Sequence, residues 1–103
     1  MTISITKSSI DFGIITTNIE PMLTFYRDVI GLPYQANIDM PGGTTMHRLL
    51  AGESVVKILV QAKEPAAVAP PGGVGGATGY RYWTISVDNL EEITAQCSDA
   101  GYK

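Results

Sequence analysis

The sequence predicts an α+β fold, in which one βαβββ module is followed by the first strand and helix of a second module. Three observations support this prediction. A strand pattern followed by a helix pattern occurs at both ends of the chain, a hairpin pattern lies between them, and the stretch 62–79 is rich in Ala, Pro and Gly. We therefore expect a first module over 1–61, a linker over 62–79 and a partial second module over 80–103.

The first strand and helix lie in the stretch "SIDFGIITTNIEPMLTFYRDVIGLPY". Residues 10–15 are apolar except for one acid, Asp11, which favours a strand. Asn18 has the side chain of a helix N-cap, and Gly31 can take the left-handed conformation that ends a helix. Between them, apolar residues recur at helical spacing and predict one buried helix face: Ile19, Leu23, Tyr26 and Ile30.

The middle of the module predicts an edge strand, "PYQANIDM", a turn at "PGG" and a hairpin in "TTMHRLLAGESVVKILVQ". If the hairpin turns at Gly52 and Glu53, its register follows, because side chains alternate between the two faces of a sheet. One face then carries the pairs Leu50/Val55, Arg48/Lys57 and Met46/Leu59, and the other face carries Leu49/Val56 and His47/Ile58.

The second unit predicts a strand in "YRYWTISV" and a helix in "NLEEITAQCSDAG". One constant offset relates Asp11 to Tyr82 and Asn18 to Asn89, and the helix stop slips by one residue, from Gly31 to Gly101. This pattern indicates an internal repeat of a strand–helix unit. Any two strand–helix units share some of these features, which is the competing interpretation.

Composition narrows the classes of function. The chain has 103 residues, a formal net charge of -3 and no block of Lys and Arg, which argues against nucleic-acid and membrane-surface partners. The single cysteine, Cys97, excludes an intrachain disulfide, and we expect it to be buried in the apolar stripe of the second helix. The first residues lack the pattern of a secretory signal, so we expect a cytoplasmic protein.

The motif "FYRDVIGL" resembles the vicinal oxygen chelate superfamily, which includes glyoxalase I, bleomycin-resistance proteins and extradiol dioxygenases. The resemblance covers nearly the whole chain and implies βαβββ modules whose sheets form a cleft. It also implies that the metal-ligand positions of metal-dependent members fall on Asp11, Lys57 and Tyr82. An ammonium has no lone pair for a metal ion, so these residue types argue against a metal site of that kind.

The sequence thus favours a glyoxalase- or bleomycin-resistance-like protein that binds a small molecule without a metal ion or other cofactor. The alternative is a metal-dependent lyase or dioxygenase with a divalent ion held in part by Asp11. No catalytic residue is recognisable, and the sequence leaves open whether the protein is an enzyme. We expect Asp11 to pair with Lys57, in a network that can extend to Arg48. The predicted ligand-binding residues are Asp11, Arg48, Val55, Lys57, Leu59, Tyr82 and Thr84.

The resemblance also leaves the second module short of three strands. Either the chain is a truncated product, or a partner chain supplies the strands, and we expect a homodimer. A third hypothesis is that the chain is an inert or oligomer-dependent fragment with an open sheet edge.

Overall fold

A computed structural model describes residues 2–102. These described residues form four strands, two longer helical segments and a short 3₁₀ turn. The strands are β1 (Phe12–Thr16), β2 (Tyr34–Met40), β3 (Thr44–Ala51) and β4 (Ser54–Val60). The helical elements are α1 (Ile19–Leu23), which continues as a π-helical segment (Thr24–Val29), the 3₁₀ turn (Gly73–Gly75) and α2 (Leu90–Asp99).

The four strands form one sheet in the order β1-β4-β3-β2. β1 runs parallel to β4, and the other neighbours are antiparallel. The predicted hairpin register is confirmed, because Arg48 lies opposite Lys57 and Leu49 lies opposite Val56. Gly52 occupies the turn with a φ of 61°, a conformation that glycine adopts without steric cost. The α+β fold class is confirmed.

One face of the sheet packs on the first helix and forms the core. Leu49, Val56 and Ile58 are fully buried there, and Leu23 of α1 is 6% exposed. Phe12 and Ile14 of β1 pack against the same cluster. Burial of these apolar side chains is the main stabilising contribution that the structure shows. We call the opposite face of the sheet the open face.

The first helix contains one wide turn. Ile30 N donates to Phe25 O at 3.0 Å, a bond that spans five residues, whereas α2 ends with Ala100 N donating to Gln96 O at 3.1 Å. Gly31 and Gly101 then end the two helices with φ values of 81° and 95°. The wide turn accommodates the one extra residue that separates cap from glycine in the first unit, which gives a physical reason for the one-residue slip in the predicted repeat.

The predicted N-cap position of Asn18 is confirmed, but the capping hydrogen bond expected from its side chain does not form. Asn18 and Asn89 stand at the N-cap positions, but neither side chain makes a capping hydrogen bond. At the first helix, Thr16 Oγ1 instead accepts from the Asn18 backbone N–H at 3.2 Å. A hydroxyl two residues upstream therefore bonds the turn that leads into the helix.

The predicted strand over 80–87 is also wrong, since residues 81–87 have no regular secondary structure. This segment is held by side chains rather than by a backbone ladder: the Trp83 and Phe12 rings are 4.4 Å apart. The following helix packs on the first one, where Gln96 Nε2 donates to Val29 O at 3.0 Å. Cys97 on this helix is only partly buried. Within residues 2–102, no helix has the length and apolar character to cross a membrane.

Candidate ligand-binding face

The open face is organised as rows of side chains that cross the strands. The register places four apolar residues side by side, one from each strand, and we call them the apolar row: Ile38, Met46, Leu59 and Ile15. The neighbouring row, two residues along each strand, is the basic row: Ala36, Arg48, Lys57 and Gly13. The ends of the apolar row remain accessible, because Ile15 is 49% and Ile38 is 44% exposed.

Arg48 is held in position at the centre of the basic row. Its Nε donates to Gln35 Oε1 at 2.8 Å, and Nη1 lies 4.0 Å from Met46 Sδ. A guanidinium has five N–H donors, so several remain for a further partner. No carboxylate of residues 2–102 forms an ion pair with Arg48 or with Lys57. The basic row therefore keeps its positive charge.

Asp11 stands next to Val55, beyond the basic row. Its carboxylate accepts from Lys7 Nζ at 2.9 and 3.0 Å and from the Val55 backbone N–H at 2.8 Å. The Lys7 hydrogen bonds, followed by the Val55 N–H, hold the pKa of Asp11 below its ordinary value of 3.8. Lys57 lowers the same pKa only through a weaker, longer-range attraction. Asp11 is thus ionised at neutral pH and already paired.

The predicted pairing of Asp11 with Lys57 and Arg48 is therefore wrong, because the ion-pair partner of Asp11 is Lys7. Lys7 precedes the first strand, in a stretch without periodicity, so no strand alternation could place its side chain. An i,i+4 spacing between Lys7 and Asp11 was the one available signal, and it usually indicates a helix pair rather than a contact beside a strand.

The predicted ligand-binding residues fall in several places. Arg48 and Val55 line a groove of about 680 Å³ together with Lys7, Gln35 and Glu53.

Asp11 and Tyr82 line a second groove of about 530 Å³ between β1 and the segment 80–83. Thr84 lines a third groove of about 890 Å³, which also touches Phe12. Lys57 and Leu59 lie in the rows of the open face. The structure therefore brings these residues onto neighbouring surfaces rather than into one pocket.

His47 lies on the helix side of β3, where its Nδ1 is 2.7 Å from the Tyr34 hydroxyl. The Arg27 guanidinium carbon stands 5.8 Å from the Tyr34 ring, and Arg27 also pairs with Asp28 at 2.8 Å. His47 therefore makes its contacts on the helix side of the sheet, away from the open face.

Comparison with known proteins decides the family. The sequence model of the Glyoxalase/Bleomycin resistance protein/Dioxygenase superfamily matches residues 9–103. The chain belongs to this superfamily. No curated protein matches the sequence at a significant level.

Two solved structures of similar fold extend this finding. The crystal structure of SMU.1112c is similar over 93% of this chain and 76% of its own, with a TM-score of 0.69 and 18% identity. A glyoxalase family protein from Enterococcus faecalis is similar over 95% and 72% respectively, with a TM-score of 0.61 and 21% identity. At these identities the likeness shows a shared fold and nothing about substrates.

The residues at the superfamily's metal-ligand positions do not fit a divalent ion. Both Asp11 oxygens accept from the Lys7 ammonium, and one also accepts from Val55 N. Lys57 is a cation, and Tyr82 is 77% exposed. Within the described part of the chain, no three His, Cys, Asp or Glu side chains converge as a metal site would require.

The lowered pKa of Asp11 leads to a testable pH dependence. A folded-state pKa below the unfolded one stabilises the protein above the unfolded value of about 3.8, and this stabilisation disappears as pH falls through the folded-state pKa. Asp11→Asn should therefore lower stability at neutral pH, and its effect should shrink as pH falls below 3.8. Urea unfolding across this range measures the difference, with Asp88→Asn on the exposed segment as the control. An Asp11→Asn effect that is constant with pH would contradict the assigned pairing.

Proposed function

We propose that this superfamily member binds a small molecule on the open face without a metal ion. The observation that carries the proposal is the apolar row, which crosses all four strands and stays accessible at both ends. Small-molecule sites are lined mainly by apolar side chains and carry a few placed polar groups that orient the ligand. The groove that Arg48 lines lies on the same face.

The ligand-binding residues in this proposal are drawn from those predicted by the sequence. Leu59 contributes apolar contact, and Arg48 and Lys57 contribute charge. Val55 and Asp11 form the far wall with Lys7. Tyr82 and Thr84 would contact only a ligand that extends past β1, because each lines a different groove.

A binding experiment with a neutral probe tests this proposal. Phenylnaphthylamine is uncharged and becomes fluorescent in apolar sites, so we expect saturable binding at one site per chain. Ile38→Glu should weaken it by about tenfold or more, because a carboxylate would then stand in the apolar row at an exposed position of an edge strand. Val68→Glu, at a loop residue that is 91% exposed, is the matched control. Equal binding by both variants would contradict the proposed site.

Metal analysis of the purified protein tests the other half of the proposal. We expect no divalent metal at one equivalent per chain. Stoichiometric Mn, Fe, Ni or Zn that is lost in Asp11→Ala would overturn the metal-independent function and favour a lyase or dioxygenase.

We also propose that the protein is a cytoplasmic homodimer. The support for the compartment is the single unpaired Cys97, which suits a reducing environment. The support for the dimer is the outer edge of β1, which has no hydrogen-bonded neighbouring strand within residues 2–102. A mass measurement in solution tests the assembly, and a well-folded monomer would count against it.

A further inference from the structure

The basic row contains two cations at paired positions of adjacent strands. Arg48 and Lys57 are register partners on adjacent strands, and they share the open face. Side chains opposite each other in a sheet are close enough for like charges to repel and destabilise the pair. Neither has an ion-pair partner among residues 2–102. An anion placed between them would remove this repulsion.

The nearest acid cannot supply the missing charge. Asp11 is bonded to Lys7 and to the Val55 amide, so its single negative charge is already balanced by Lys7. Glu53 lies at the rim of the Arg48 groove, in the exposed hairpin turn. An excess of positive charge therefore remains on the open face of a chain whose formal net charge is -3.

Arg48 is oriented for such an anion. Gln35 and Met46 hold its guanidinium in a partly buried position, which limits the side-chain freedom that binding would remove. The planar guanidinium can donate two parallel hydrogen bonds to a carboxylate, sulfonate or phosphate group. Lys57, directly opposite, adds a second cation.

The apolar row indicates that the rest of the ligand is apolar. It lies one step along the strands from the basic row, so an anionic group at Arg48 would have its adjoining body beside Met46 and Leu59. The acidic chain as a whole repels polyanions, which favours a small monovalent ligand over nucleic acid or an anionic membrane.

We propose that the ligand of the open face is a small organic anion, with its acidic group between Arg48 and Lys57 and its apolar body along the apolar row. This inference rests on the proposed function, because it names the ligand class of the same face.

The test compares two fluorescent probes that share an aromatic body. Anilinonaphthalene sulfonate carries one negative charge, and phenylnaphthylamine is its neutral counterpart. We expect the wild-type protein to bind the sulfonate more tightly. Arg48→Met should weaken sulfonate binding by about tenfold or more, since it removes the hydrogen bonds that the guanidinium donates to the charged group. Binding of the neutral probe should change by less than about threefold.

The controls separate the charge from other effects. Lys63→Met removes a cation from the exposed loop after β4 and should leave both probes unaffected. Added salt should weaken sulfonate binding to the wild-type protein and not weaken binding of the neutral probe, which needs no variant and holds even if Arg48→Met fails to fold.

The outcomes distinguish this inference from the proposed function. Suppose that Ile38→Glu weakens binding of the neutral probe, while neither Arg48→Met nor salt affects binding of the sulfonate. This result would overturn the anionic ligand and leave the binding face intact. If Ile38→Glu weakened the binding of neither probe, the binding face itself would be overturned. Amide NMR shifts on sulfonate addition should concentrate in β3 and β4.

Discussion

Replacing Ile58 with alanine should lower the free energy of unfolding by about 3 kcal/mol. Ile58 is fully buried in the core cluster, together with Leu49 and Val56. The truncation removes buried apolar surface and leaves a cavity in the middle of a four-stranded sheet. For a chain of this size we expect the midpoint of thermal unfolding to fall by about 15 °C, measured by circular dichroism.

The matched control is Ile38→Ala on the open face. It removes the same atoms from a residue that is 44% exposed, so we expect a loss below about 1 kcal/mol. If the two variants lost similar stability, the assignment of the core to the helix side of the sheet would be wrong.

Replacing Trp83 with alanine should cost about 2 kcal/mol, although this residue lies outside every helix and strand. Its ring is 4.4 Å from Phe12 and 6.0 Å from Tyr26, so it is the main aromatic contact between the segment 80–87 and the first module. The side chain is 37% exposed, which keeps the cost below that of a fully buried tryptophan. Chemical unfolding measures the loss.

The neighbouring aromatic provides the control for Trp83. Tyr82 is 77% exposed, and Tyr82→Ala should change stability by less than about 0.5 kcal/mol. Limited proteolysis adds a second measurement: in Trp83→Ala, cleavage within 80–87 should become faster. Unchanged stability and cleavage in Trp83→Ala would mean that this segment does not depend on the contact with Phe12.

The hairpin shows how far the sequence predicts this fold. A single glycine-containing turn at Gly52 and Glu53 determines the register, and alternation then assigns every residue of β3 and β4 to a face. The structure confirms both, from Leu50 opposite Val55 to Met46 opposite Leu59. Strand alternation is a local rule, so it needs no knowledge of the rest of the molecule.

The two wrong predictions, the strand over 80–87 and the partner of Asp11, concern contacts between distant parts of the chain. A strand forms only where a partner offers backbone groups, so the apolar pattern of 80–87 could not by itself predict that Trp83 would pack on Phe12 without a ladder. The partner of Asp11 was missed for a similar reason, because Lys7 reaches it from an irregular segment. The charged character of the open face was predictable, whereas the particular ion pair on it depends on tertiary structure.

The wide turn in the first helix has a consequence for how the two repeated units could diverge in length. An extra residue inside a helix can be accommodated by one π-type hydrogen bond, as between Ile30 N–H and Phe25 O. The connections before and after the helix then stay in place. An insertion in a connecting loop would instead change where the next strand enters the sheet. If the units descend from one ancestral duplication, the gap in their alignment belongs within the helix, and the segments before the two helices, β1 and residues 80–87, need not have shifted to accommodate it.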